Sequence, residues 1–364
     1  SIRQGTYRSI NNQRVMHFVK TGTEGQPIVV QAYNNEEVFF IGSPGFPVIE
    51  MSLDNKPCGC PNDPQGGQYA YITIRGLDIS GGGKGIDSRH SKFITIEDNN
   101  IHDITGTAII FSKQGGERTD GRYPVGGHHL IRNNEVYYNE GGIHIKGEYS
   151  VIENNHAHHN YKAGYPFNSD GIAVASDYVT IRNNLVHDNS DDGLDIGDGQ
   201  ANECEWRGPI GNIIEGNIAY NNGCTFRWCG DGSGIKLQTL QGSNCDGAPL
   251  LPGGGFIVAN NLAFANRLRG IDVSTRPGDQ YPDIYFNNVV HDSAITRNAD
   301  GIVWEQTNSM HFNNIVFNKH NDIFWDSRMR ALRPPYAIFS DYNLMGDRWV
   351  KDELEILGDD CGQG

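Results

Sequence analysis

From about residue 71 the chain repeats a phrase in which apolar and polar positions alternate and then close on asparagine. The copies are ITIEDNN ending at Asn100, LIRNN at Asn134, VIENN at Asn155, VTIRNN at Asn184, NIIEGN at Asn217, FIVANN at Asn261, IYFNN at Asn288 and MHFNN at Asn314. The steps between these closing residues are 34, 21, 29, 33, 44, 27 and 26. Period-two alternation rich in Ile and Val predicts short strands, and self-similarity at such spacings predicts a solenoid. A second phrase, Gly-apolar-x-apolar, recurs as GIHI from Gly142, GIAV from Gly171, GLDI from Gly193, GIKL from Gly234, GIDV from Gly270 and GIVW from Gly301. Each turn of the chain therefore holds at least two short strands joined by a tight bend. Strands of this size cannot bury a face alone, whereas stacked copies enclose a continuous core. The prediction is an all-β parallel β-helix of roughly nine to ten rungs.

The recurrent Asn suits this architecture, because its amide can bond the backbone of the bend and its equivalent one rung away. Variable step length reads as loops inserted between strands, longest around residues 170 to 236. A sandwich would show hairpin turn signals and a propeller would repeat four-stranded blades with similar loops; neither pattern is present. Residues 1–70 are less regular, but QPIVVQAY and FPVIEMSL read as earlier rungs, and 331–364 read as the last rung and a polar end. Residues 1–364 are thus expected to form a single elongated domain.

Composition narrows the setting. The chain has 46 Gly, 37% hydrophobic and 20% charged residues, loop-rich but able to fill a core. A net charge of −15 argues against nucleic acid, whose phosphates require basic patches. No apolar run is long enough to span a membrane. The seven cysteines, Cys58, Cys60, Cys204, Cys224, Cys229, Cys245 and Cys361, lack the C-x2-C spacing of a zinc knuckle. Loop disulfides in a secreted, extracellular protein are the expectation, with pairing open and one thiol over. The absence of a signal peptide fits a mature or trimmed chain, expected to act as a monomer.

Candidate chemistry emerges when the second phrase is aligned on its glycine. Asp170, Asp192, Ser233 and Arg269 then form one column, and His144, Ala173, Asp195, Lys236 and Asp272 a second, which alternation with the core Ile and Leu directs outward to solvent. Strands about 4.8 Å apart bring Asp170, Asp191, Asp192 and Asp195 together, with Lys236 one rung on. Like charges about 5 Å apart at an effective dielectric near 20 cost about 3 kcal/mol per pair, a cost that a divalent cation with oxygen ligands removes; Ca²⁺ is the natural choice outside the cell. A lysine beside such a pocket suits proton abstraction next to a carboxylate, as in β-elimination of a uronic-acid polymer. Asp195 on one side and Asp272 on the other are expected to favour its charged form. Arg269 and Arg267 are candidates to pair with uronate carboxylates, and Trp206, Trp228 and Trp304 to stack on sugars or pack in loops.

These segments, SDG at 169–171, SDDGLD at 190–195 and GSGIKL at 232–237, in that order, resemble the calcium-dependent pectate lyases of polysaccharide lyase family 9. The resemblance implies a right-handed parallel β-helix, calcium ligation by Asp170, Asp191, Asp192 and Asp195, Lys236 as Brønsted base, and an acidic polysaccharide, pectate first, as substrate. The chain departs from the family in the IGDGQ that follows Asp195 and in reaching its Gly-Thr-Tyr phrase at Gly5. Other readings of the same residues are a non-catalytic calcium-stapled surface or filament protein, an alginate-type lyase, and a glycoside hydrolase. The last would need two separated carboxylates as acid and base.

Overall fold

A computed structural model of the protein describes all residues except 12, 52–68, 90, 113–125, 198–208, 240–253, 276–281, 292–299, 305–308, 318–320, 326–336, 342, 346–347, 351–352 and 357–364. The chain visits three sheets in turn: Gly5–Arg8, Met16–His17 and Ile28–Gln31 begin the first, second and third, and Val38–Ile41, Pro47–Met51 and Tyr69–Arg75 add the next strand to each. Among the described residues the sheets contain 13, 11 and 12 strands in strict sequence order, paired in parallel up to the C-terminal end. This is a parallel β-helix. The 11 strands of the second sheet count its rungs among the described residues, slightly above the nine to ten read from the phrases. At the end the path reverses: Arg348–Val350 pairs antiparallel with Asn343–Met345, and Glu353–Ile356 with Ala337–Asp341. Arg348–Val350 and Glu353–Ile356 thus end the parallel stack of the first and third sheets. No helix among the described residues is long and apolar enough to cross a membrane.

The core is a stack of matching aliphatic residues. Ile143, Ile172, Leu194, Ile235 and Ile271 occupy one register column of the second sheet, and Ile131, Ile152, Ile181 and Ile214 one of the third; all are fully buried. Burial of an aliphatic side chain of this size stabilises by roughly 1.5–3 kcal/mol.

Register is held by asparagine. Asn99, Asn134, Asn155, Asn184, Asn217, Asn261, Asn288 and Asn314 form a buried ladder in which each Nδ2 donates to the next Oδ1 at 2.9 to 3.1 Å. Each Oδ1 also accepts its predecessor's backbone N–H. The ladder corrects one marker of the sequence pattern: the member in ITIEDNN is Asn99, whereas Asn100 lies in the following strand and donates to Asp78. The first step is therefore 35 residues. The position before the ladder has a left-handed backbone, with φ of 52° to 56° at Asp98, Asn133, Asn154, Asn183, Asn260, Asn287 and Asn313 and 65° at Gly216. Asn, Asp and Gly tolerate that region, which explains both the Asn-Asn doublet and its Glu-Gly-Asn variant.

A second ladder, Asn139, Asn160, Asn189, Asn222 and Asn266, runs parallel to the first, five residues downstream in each rung. It forms the bend that leads into the second sheet.

The two asparagines of a doublet should differ sharply in their tolerance to substitution. Asn155→Ala orphans the Asn134 N–H and the Ile131 carbonyl, both buried, and should cost about 2–6 kcal/mol at roughly 1–3 kcal/mol each. Asn154→Gly keeps the left-handed bend and should stay within about 1 kcal/mol of the parent. Urea unfolding of both variants checks this.

Candidate functional site

In the first and third sheets, three-residue strands such as Leu185–His187 and Thr180–Arg182 bury only their central residue. Ile172–Val174 and Leu194–Ile196 of the second sheet bury all three. Alternation turns Asp195 to the outer face as expected, but the expectation that this face meets solvent is corrected: Asp192 is 0%, Asp170 2%, Asp191 4% and Asp195 7% exposed. Inserted segments at Asn168 and at Gly230–Asp231 fold over them. Asp191 anchors two covering segments, its Oδ2 accepting the Asn168 N–H at 2.6 Å and its Oδ1 the Asp231 N–H at 2.7 Å. Gly230 donates to the Ser190 carbonyl at 2.6 Å, and a Cβ at Gly230 would meet Asp191 Oδ1 at 2.3 Å, so glycine is required there. The segment containing Gly230 and Asp231 follows a small hairpin, Cys224–Thr225 paired with Trp228–Cys229, closed by a Cys224–Cys229 disulfide. The expected loop disulfide is present in this pair; Cys58, Cys60, Cys204, Cys245 and Cys361 lie outside the described residues.

Both predicted columns form. The Asp192 N–H donates to Asp170 Oδ1 at 3.1 Å, the Ser233 N–H donates to Asp192 Oδ1 at 2.6 Å, and Ser233 pairs in register with Arg269. In the second column His144, Ala173, Asp195, Lys236 and Asp272 are consecutive partners. The glycines that define the alignment have a packing reason. A Cβ on Gly171, Gly193 or Gly234 would lie 2.5 to 2.8 Å from the Nδ2 of Asn189, Asn222 or Asn266, the downstream ladder. That ladder therefore sits against the strand starts and fixes where each Asp-Gly begins. The sequence reading missed it, although its signal, an Asn five residues after the first ladder's, is present in five rungs.

One carboxylate oxygen from each of Asp170, Asp192 and Asp195 lies within 4.8 Å of the others. Lys236 Nζ donates to Asp192 Oδ2 at 2.8 Å and lies 3.5 Å from Asp231 Oδ2. Burial, reinforced by Asp195, Asp191 and Asp192, pushes the Asp170 carboxyl well above the usual carboxylate range. Burial also raises Asp191, partly opposed by its backbone hydrogen bonds, and raises Asp192 to about 7 against the pull of Lys236. Burial alone would lower Lys236, but the carboxylates of Asp192 and Asp195, the hydrogen bond to Asp192 and the charge of Asp170 outweigh it and raise its pKa. This corrects the expected neighbours: the strongest partner of Lys236 is the diagonal Asp192, while Asp272 binds Arg269 Nη1 at 2.7 Å. Arg267 donates to the Gly230 carbonyl and so supports the covering segment. Trp228 lies against the Arg227 guanidinium, 5.0 Å from the ring centroid. Trp206 and the side chain of Trp304 lie outside the described residues. Asp231, which the sequence reading did not single out, joins the site because GDGSGIKL places it five residues before Lys236.

The donor set fits a hard divalent cation. Three buried carboxylates that repel one another supply the oxygen donors and negative charge such an ion requires, and their spread fits within the roughly 5 Å across a calcium coordination shell.

The family model described as the Pel9A-like, right-handed β-helix region matches residues 1–308. The chain belongs to this family. Pectate lyase Pel9A itself is 17% identical over 94% of this chain and 69% of its own, with a TM-score of 0.48. The AlgE6 A-module, a mannuronan C-5 epimerase of Azotobacter vinelandii, is 12% identical over 95% and 90%, with a TM-score of 0.54. PfbA, a surface adhesin of Streptococcus pneumoniae, is 12% identical over 94% and 83%, with a TM-score of 0.55. At these identities the likeness is one of fold, shared by an epimerase module and a surface adhesin. No curated protein matches the chain.

The raised carboxylates give a signed pH dependence. Asp170 and Asp192 bind protons more tightly folded than unfolded, so their contribution to stability is full below about pH 4; that of Asp192 is lost as pH rises through about 7, and that of Asp170 as pH rises through its own raised value. Chelator-treated protein should lose melting temperature over that window more steeply than Asp170→Asn, and calcium should restore it at pH 8 in the parent but little in the variant. Scanning calorimetry with and without chelator reads both effects.

Proposed function

We propose that the protein is a calcium-dependent lyase of the pectate lyase type, acting outside the cell on a uronic-acid polymer, polygalacturonate first. The observation that carries this reading is the amine of Lys236 2.8 Å from Asp192, at the edge of the three-carboxylate pocket. Asp170, Asp192 and Asp195 would hold the ion, and Asp191, already anchoring the covering segments, would complete the acidic set. Bound calcium supplies positive charge that offsets these carboxylates and stabilises negative charge developing on a substrate carboxylate.

Lys236 Nζ takes the proton from the carbon bearing the uronate carboxylate. The electron pair of that C–H bond forms a carbon–carbon double bond as the bond to the β oxygen breaks, and the departing oxygen takes a proton from water to become a hydroxyl. To accept a proton the amine must first be neutral, and the carboxylates around it oppose this. The base is therefore usable only when their charge is offset, and activity should rise with alkaline pH. Arg269, oriented by Asp272, would meet a substrate carboxylate at the far end of the Asp170 column, with Arg267 beside it.

A second reading is supported by the same ion pair. A lysine held as a cation by Asp192 is also what a non-catalytic, cation-stapled β-helix would contain.

Lys236→Ala decides between them. The lyase reading expects a loss of about 10²–10⁴-fold in the formation of unsaturated, ultraviolet-absorbing products, with calcium binding retained. Lys236→Arg, charged at every accessible pH, should be equally inactive. Equal turnover by parent and Lys236→Ala would sink the assignment, and saturated reducing ends in both would point to a hydrolase.

A further inference from the structure

The outer face of the first sheet, not the sheet of the acidic cluster, carries a row of rings in one register column. His102, Tyr137, His158, His187, Tyr220 and Phe264 stack with centroids 4.6 to 5.2 Å apart. Stacking accounts for a ring in each place, since Tyr and Phe serve there as well as His. It does not account for the groups gathered around His158 and His187. His156, at the neighbouring outward position of the strand His156–His158, brings its Nε2 to 2.7 Å from His187 Nε2. His159 Nδ1 lies 2.8 Å from His158 Nδ1. Asp188 Oδ2 lies 2.7 Å from His187 Nδ1, and Glu135 Oε1 lies 3.4 Å from His158 Nε2 and 3.8 Å from His156 Nδ1.

The chemistry of these contacts is that of a metal site. An ionised carboxylate only accepts, so Asp188 assigns the proton of a neutral His187 to Nδ1 and leaves the Nε2 lone pair directed at His156. This carboxylate–histidine relay is the arrangement that orients imidazole ligands on metals. One ligand atom each from His156, His158 and His187 lies within 4.8 Å of the others. Zinc–nitrogen bonds of about 2.0–2.1 Å set tetrahedral donors roughly 3.3 Å apart, so small ring rotations that part the closest pair would seat an ion.

We propose that His156, His158 and His187 form a second metal site, for a late first-row divalent cation such as zinc, with Asp188 and Glu135 orienting the rings and water completing the shell. Nitrogen donors distinguish it from the oxygen-lined acidic pocket, which suits calcium. The ligands come from strands on successive rungs, paired His158 to His187, so the ion would clasp them together. The proposal does not depend on lyase activity.

The test is a zinc titration of untagged, full-length, metal-stripped protein against a chromophoric chelator, in excess calcium. The expected result is one zinc per chain, retained in Asp192→Asn. Binding should weaken at least 100-fold in His156→Ala and in His187→Phe, which keeps a ring in the stack, and about 10- to 100-fold in Asp188→Asn. Cobalt(II) should give the visible absorption of a tetrahedral, nitrogen-ligated ion in the parent and not in His187→Phe. Zinc should also protect histidines of the parent from diethyl pyrocarbonate, a readout that stands even where a variant fails to fold. No zinc retained under calcium excess, equal binding by the histidine variants, or loss of binding in Asp192→Asn would overturn the proposal.

Discussion

The chain of asparagine amides is the constraint on which the rest of the molecule depends. A parallel stack of three-residue strands has few backbone hydrogen bonds per strand, so register is weakly set by the backbone alone and a slip of one residue would turn the core side chains outward. The buried amides prevent this, because each satisfies its neighbour's side chain and backbone at once, and an unpaired amide in that position is costly. Register then propagates to the surface. The downstream ladder lies against Gly171, Gly193 and Gly234, and so sets where Asp170, Asp192 and Ser233 stand relative to one another.

That alignment concentrates charge which the fold alone does not stabilise. Three carboxylates share a buried space, a fourth anchors the segments above them, and Lys236 sits among them. Such clusters are a cost to the apoprotein and an asset once a cation is bound, the usual trade at functional sites. The lysine is tied to the same balance: the carboxylates that keep it protonated are the ones a cation would neutralise.

Much of this was legible in the sequence because a solenoid converts periodicity into position. The Gly-anchored phrases placed Asp170 beside Asp192 and Asp195 beside Lys236, pairs that the strand register reproduces. What periodicity does not encode was missed. The burial of the site comes from inserted segments at Asn168 and Gly230–Asp231, whose length breaks the repeat. The Lys236–Asp192 contact is diagonal, set by side-chain reach rather than register, and Asp272 turns to Arg269 three residues earlier. Asn100 misled as a marker because Asp98 takes the left-handed position in its phrase, shifting the ladder residue back to Asn99.

The most direct test of the account is the appearance of ultraviolet-absorbing unsaturated ends from polygalacturonate and alginate, measured in calcium, after chelation, and after calcium is restored. A calcium-dependent lyase gives product in calcium on a uronate polymer, none after chelation, and recovery on restoration. Turnover that persists unchanged through chelation would contradict it.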